Sequence, residues 1–159
     1  MTALRQSAIT ELEKIPEDKL SFVIQIMQGV NGLYNDNERE PFFEDAKQII
    51  LLCKDGKIKG CIVAHSISNM FFILRKDYTS KERRDILLSL CTIFDVEGID
   101  KVKLLSGLEN EEFSDFEDCL QMECAKSFGA EYIVTRNASD YAESVIKAIL
   151  PNEYLKLKQ

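Results

Sequence analysis

Four acids, Asp115, Glu117, Asp118 and Glu123, crowd the first half of the stretch SDFEDCLQMECAKSFGAEYIVTRNASDY, and Asp140 stands near its end. Grouped carboxylates repel one another. A hard divalent cation such as Mg²⁺ or Mn²⁺ relieves that repulsion, and oxygen donors suit it. Held by one or two carboxylates and several waters, such a cation activates water and braces a phosphodiester. A plainer reading is that Asp115 and Asp118 only serve the start of a helix, where each contributes roughly 0.3–1 kcal/mol. Both readings stand on the pattern alone.

The elements around these acids decide what they meet. Asp115 and Asp118 are three residues apart and share a helix face. Ser114 and Glu117 fit an S-x-x-E capping box at the start of that helix, and Gly129 suits its end. EYIVT then reads as a strand that delivers Thr135, Asn137 and Asp140 to its carboxyl edge. Further upstream, IKGCIVA reads as a strand followed by His65, Ser66 and Asn69. In a parallel α/β sheet the ligand crevice lies beyond the carboxyl ends of the strands. The spacing therefore predicts that Asp115 and Asp118, Asn69, and Asn137 with Asp140 converge on one rim. His65, the sole histidine of the chain, is expected to cap or pack.

Helices and strands alternate along the rest of the chain. PFFEDAKQIILLCKDG is expected to be an amphipathic helix from Pro41 to a stop at Gly56. HSISNMFFILRK and SKERRDILLSLCTI follow as helices, the second with Ser80 as its N-cap. FDVEGI is a strand, DKVKLLSGLE a short helix capped by Asp100, and KAIL a last strand ended by Pro151. This alternation predicts an α/β protein, a three-layer α/β/α arrangement around a short, mainly parallel sheet. Before Pro41, Pro16 with Glu17 and Asp18 marks a helix start, and Leu20, Val23, Ile24 and Met27 keep helical spacing. FVIQIM within that segment also has the composition of a strand.

With 159 residues the chain can bury one substantial core. Its apolar content of 45 % and charged content of 30 % match a globular domain. No apolar run reaches the ~20 residues of a membrane helix, and MTALRQSAITELEK lacks a signal-peptide core. The five cysteines form no CxxC pair and are expected to be free, buried thiols of a cytoplasmic protein. A net charge of −7 disfavours phosphate binding over the whole surface. LRKDYTSKERRD nevertheless gathers Arg75, Lys76, Lys81, Arg83 and Arg84, either as solvated helix ends or as a track for a phosphate backbone. GxxxxGK[ST] and GxGxxG phosphate motifs are absent.

Residues from about Arg39 to Leu157 resemble the PIN-domain family, and within it the branch of bacterial VapC-type toxins. The resemblance is carried by EPFFEDAKQIILLCKDGKIKGCIVAHSISNMFFILRK, SDFEDCLQMECAKSFGAEYIVTRNASDY and AILPNEYLKL. It implies a compact α/β/α ribonuclease using Mg²⁺ or Mn²⁺, paired with an antitoxin-type protein and often dimeric. Position by position, Asp118 matches the acid of the family's DxxDA-like helix, here DFEDC, and Asp115 its neighbour. Asn137 and Asp140 match the acidic turn after the penultimate strand, its first acid replaced by an amide. Asn69 stands where many members carry glutamate. The resemblance thus assigns Asp118, Asp115 and Asp140 as metal ligands, with Asn69 and Asn137 completing the catalytic set.

The front of the chain departs from that pattern. The family's opening strand and its leading aspartate have no counterpart, and residues 1–38 are similar to the N-terminal helix of a small antitoxin. Residues 39–159 are then a PIN-like domain short of its start. FVIQIM, an element from a second copy, or closure of the sheet would fill the gap. The expected function is cleavage of RNA phosphodiesters. The alternative is a fusion that is non-catalytic or self-neutralised, acting as a binding or dimerising module. A homodimer through mutual packing of the N-terminal helices is expected.

Overall fold

The structure, a computed structural model, describes residues 40–159. The expectations for the segment before Glu40, including the fate of FVIQIM and of the opening strand, lie outside the described residues. The chain divides into two compact units at Val96 and Glu97, and each is taken by itself.

In the first unit, helix α1 (Glu40–Lys54) leads to strand β1 (Cys61–Val63), helix α2 (Ala64–Ile73) with a 3₁₀ turn (Leu74–Lys76), helix α3 (Ser80–Ile93) and strand β2 (Asp95–Glu97). Helix α1 stops where the sequence expects. Gly56 takes φ 71°, and the Lys57 N–H returns to the Leu52 carbonyl at 2.9 Å, so the last carbonyls of the helix are satisfied. Strand β1 pairs with β2, and the Asp95 N–H reaches the Gly60 carbonyl at 2.9 Å. Met70, Leu74, Ile86, Leu90 and Phe94 form the core between these helices.

The cap of α3 is Thr79, not Ser80. The Glu82 N–H donates to Thr79 Oγ1 at 3.2 Å, and the Thr79 N–H donates to Glu82 Oε2 at 2.8 Å. Starting one residue later would place Arg83 at the third helical position, which has no acceptor to close the box. Thr79 therefore wins over an equally good cap former beside it.

Gly60 is fixed by crowding. A Cβ there would lie 2.7 Å from the Phe94 ring and 2.8 Å from Cys53 Sγ, both buried. Gly60→Ala is expected to destabilise the protein by roughly 1–3 kcal/mol through overpacking, read as a lower denaturant midpoint at unchanged slope. An unchanged midpoint would show that the Phe94 ring yields without cost.

In the second unit, helix α4 (Lys101–Glu109) and helix α5 (Phe116–Phe128) precede strand β3 (Tyr132–Val134), a 3₁₀ turn (Ala138–Tyr141), strand β4 (Lys147–Ile149) and helix α6 (Pro151–Leu157). Asp100 caps α4 as expected, accepting the Lys103 N–H at 2.9 Å. Strands β3 and β4 are parallel, with Tyr132 opposite Lys147 and Val134 opposite Ile149. Cys119, Leu120, Met122, Cys124 and Ile149 are buried. Glu123, one of the four crowded acids, is structural: its Oε1 accepts Ser106 Oγ at 3.0 Å, tying α5 to α4. Pro151 ends the last strand as expected, but it also opens α6, which the strand-by-strand reading did not foresee. Its fixed φ and missing N–H suit a helix's first position.

The α/β alternation with short parallel pairing is thus observed. Among the described residues the four strands form two separate two-stranded pairs, β1 with β2 and β3 with β4, and no helix is long and apolar enough to cross a membrane. The cysteines are free, but only Cys53, Cys119 and Cys124 are buried; Cys61 is half-buried and Cys91 exposed. Burial pushes the Cys53 thiol up to about 11 and raises Cys119 and Cys124, which makes them poor nucleophiles near neutral pH.

Candidate active site

Asp118 is the one acid of the DFEDC stretch that the fold buries, at 4 % exposure. It sits in the first turn of α5, where the helix N-terminus favours a negative charge. The cap of this helix is Asp115 rather than Ser114: Asp115 Oδ1 accepts the Asp118 N–H at 3.1 Å. A full negative charge serves the positive helix end better than the hydroxyl one residue earlier. The same bond holds the Asp115 carboxylate beside Asp118.

The turn after β3 supplies the other partners. Thr135 continues the pairing beyond β3, its N–H reaching the Ile149 carbonyl at 3.0 Å. Its Oγ1 accepts the Asn137 N–H at 3.1 Å, and the Asn137 carbonyl accepts the Asp140 N–H at 3.0 Å. This winds the chain into the 3₁₀ turn and presents Asp140 and Tyr141 in succession. Tyr141 is buried, and its hydroxyl donates to Asp118 Oδ1 at 3.1 Å. The Phe113 ring meets the Tyr141 ring edge-on, centroids 6.3 Å apart. A buried phenol thus pins the turn that carries Asp140 to the helix that carries Asp118.

The electrostatics follow from this placement. Burial pushes the Asp118 carboxyl up to about 6 from an ordinary 3.8. The Tyr141 hydrogen bond opposes the rise, and the charges of Asp115, Asp140 and Glu117 add to it. Asp115 and Asp140 therefore lie close enough to Asp118 for their charges to be felt. Both are themselves exposed.

Asn137 contributes its backbone to the turn. Asn69 lies in α2 of the first unit, where its Nδ2 is 3.2 Å from His65 Nε2. His65 is exposed at the start of α2 and is no cap: Val63 holds that position. Tyr141 is the member that residue patterns missed. Its only signal was its place one residue beyond Asp140, at the end of a polar turn where a large aromatic must find burial.

The donor set suits a hard cation in kind. It consists of carboxylates, one of them raised by burial first and by its acidic neighbours second, a strain that a divalent ion would relieve. Among the described residues no three His, Cys, Asp or Glu side chains gather as a ready-made metal cage.

Tyr141→Phe isolates one part of this arrangement. Loss of a hydrogen bond to an ionised carboxylate is expected to raise the Asp118 midpoint further, by roughly one pH unit. Titration of the Asp118 carboxyl carbon by NMR reads it directly. A midpoint that stays put or falls would show that the phenol does not stabilise the charged form.

No curated protein and no solved structure matches the chain. A family model described as the PIN domain matches residues 32–139. That span covers well over half of the chain and contains α1 to α5, β3 and the turn up to Ser139. Together with the buried acid at the start of α5 and the polar turn after β3, this match places the chain in the PIN domain family.

Proposed function

We propose that the protein is a metal-dependent ribonuclease that hydrolyses RNA phosphodiesters at the Asp118 pocket. PIN domains are nuclease-type folds, generally ribonucleases that use divalent metals. The observation that carries the reading is the buried Asp118, held by Tyr141 and raised to about 6 by burial and by Asp115, Asp140 and Glu117. Once ionised such a group costs the fold stability, and perturbed acids gather where chemistry needs them.

Asp118, Asp115 and Asp140 would hold the cation, which when bound supplies an activated water and offsets the charge of the phosphate. The chain's own residues prepare the rest. Above pH 6 Asp118 is mostly ionised, and Tyr141 fixes the plane of its carboxylate. Asp115, fastened to the helix end, and Asp140, carried on the 3₁₀ turn, keep the surroundings negative. Asn137 is assigned to orient water or phosphate. An amide does this without adding charge.

RNA reception is assigned to the basic stretch of the first unit. The Arg75 guanidinium lies 3.6 Å over the exposed Phe72 ring, and those of Arg83 and Arg84 lie 4.3 and 5.5 Å from the Phe71 ring centroid. Arginine stacked on an aromatic offers both phosphate contact and a surface for a base. The resemblance to VapC-type toxins supports a toxin–antitoxin setting, with an antitoxin-type protein as partner.

The test is incubation with single-stranded RNA in Mg²⁺ or Mn²⁺, with and without a chelator. Cleavage that needs the metal supports the reading, and no cleavage with either metal removes it. A second reading, a non-catalytic or self-neutralised binding module, is favoured by one observation: the lack of a three-ligand cluster among the described residues. It predicts RNA or protein binding that is indifferent to the metal.

A further inference from the structure

Phe116 opens helix α5 between Asp115 and Glu117, and it stays 40 % exposed. It is not a loose side chain. A Cβ on Gly107 of α4 would lie 3.1 Å from Phe116 Cε2 and 3.2 Å from Leu120 Cδ2. Glycine is a poor helix residue, and at this position it leaves the room in which the edge of the ring rests. Helix α4 thus seats the ring while much of it stays open to solvent. Asp115 directly precedes it, and Asp118 lies in the same first turn of α5.

We propose that Phe116 is a base-contacting residue, a stacking platform for the nucleobase beside the phosphodiester cleaved at the Asp118 pocket. The inference rests on the ribonuclease reading and goes beyond it, because it names the group that grips the base rather than the phosphate. A phosphate at the pocket carries its nucleoside one ester bond away, within reach of a ring on the same helical turn. The acids around the pocket offer no apolar surface to a base, and the ring does. An unpaired base has an open π face that aromatic side chains receive whatever the sequence. Selection at Phe116 therefore falls on whether a base is present and unpaired.

The flanking charges speak against a protein as the occupant. Asp115 and Glu117 are both exposed. A protein that buried Phe116 would cover them too, and charged residues are depleted at the centres of such interfaces. A base covers the ring and leaves both carboxylates in water.

The test compares the full chain with Phe116→Leu and Phe116→Trp in Mn²⁺, on a single-stranded RNA and on the same RNA with abasic sugars on both sides of the cleaved bond. Phe116→Leu should raise KM about tenfold or more, the scale of one lost base stack, with kcat changed less than about twofold. Phe116→Trp should restore KM. On the abasic RNA the unaltered protein should fall to the level of Phe116→Leu. Leucine keeps an apolar side chain over Gly107, and the thermal midpoint checks that the fold is retained. A second readout needs no cleavage. The fluorescence of 2-aminopurine in the RNA should be quenched on binding to the unaltered protein and to Phe116→Trp, and not on binding to Phe116→Leu. Quenching that depends on Phe116 without any cleavage would uphold the platform and remove the nuclease reading. Equal KM and equal quenching for Phe116→Leu and the unaltered protein would overturn the proposal, and a ring that serves a protein partner would give that result. RNA that does not bind at all would overturn it as well.

Discussion

Asp118→Asn is expected to lower Mn²⁺-dependent RNA cleavage by at least ~100-fold, the scale seen when one preorganised charge-stabilising group is lost. The substitution keeps shape and removes charge. Tyr141 can still donate to the remaining carbonyl oxygen at the position of Oδ1, so the turn stays pinned to α5. What disappears is the buried negative charge on which a cation would rest. Initial rates on a defined RNA, measured at several Mn²⁺ concentrations, separate the possibilities. A rate that recovers at high Mn²⁺ would mean that Asp118 only tightens the metal. A rate equal to that of the unaltered protein would mean that cleavage occurs elsewhere or comes from a contaminant.

The same substitution is expected to stabilise the fold at neutral pH. The Asp118 carboxyl is raised in the folded protein, from 3.8 to about 6. A raised acid favours folding while it is protonated, below its unfolded pKa, and that support is lost as pH rises through the folded pKa. Above pH 6 the full cost of the buried charge is present, at most about 3 kcal/mol from a displacement of this size. Asparagine carries no such cost. Asp118→Asn should therefore gain ~1–3 kcal/mol at pH 7–8, seen as a midpoint higher by roughly 3–9 °C. The gain should shrink between pH 6 and 4 and vanish below pH 3.8, where both side chains are neutral. Thermal melts of the two proteins at pH 3.5, 5 and 7.5 measure it. A gain that is constant with pH would point to packing rather than charge, and a loss at pH 7.5 would mean that the ionised carboxylate supports the fold.

Stability given up at a single buried acid is the usual mark of a site kept for chemistry. Neighbouring acids of the same stretch show the contrast. Glu123 is also buried, yet its charge is met by Ser106 and by Lys126 at 3.3 Å, and it has a structural explanation. Asp115 has one in part, as the helix cap. Asp118 accepts a hydrogen bond from Tyr141 and feels the charges of Asp115, Asp140 and Glu117, and burial still raises it.

Much of the secondary structure could be read from residue order. CIV, YIV and KAI are short β-branched or apolar runs between turn signals, and each became a strand. Gly56 and Gly129 marked helix ends because both occupy positive φ. The caps were misplaced by one residue at Ser80 and Ser114. In each case the neighbour won through a partner three residues on, Glu82 for Thr79 and the Asp118 N–H for Asp115. Two adjacent cap formers are not separated by type alone. Helix α6 went unnoticed because Pro151 reads equally as a stop and as a first helical position.

For the site, topology located the acids better than chemistry did. A strand's carboxyl end and the start of the helix before it lie at the same rim, which brought Asp140 toward Asp118. Tyr141 was invisible because its role rests on a contact between residues far apart in the chain. Asn69 was expected at that rim because it follows the IKGCIVA strand, and in the first unit it pairs with His65. Whether three carboxylates share one ion depends on side-chain directions that spacing does not encode.

The most direct test of the Asp118 pocket as a metal centre is thermal stability followed during a Mn²⁺ titration at pH 7.5, with the unaltered protein and Asp118→Asn side by side. A bound ion relieves the buried charge, so the unaltered protein should melt higher as Mn²⁺ rises, by about 2.7 kcal/mol once the ion reaches a hundred times its Kd. Asp118→Asn should start higher and respond little. A flat titration for the unaltered protein, or equal responses from both, would contradict a metal centre at Asp118.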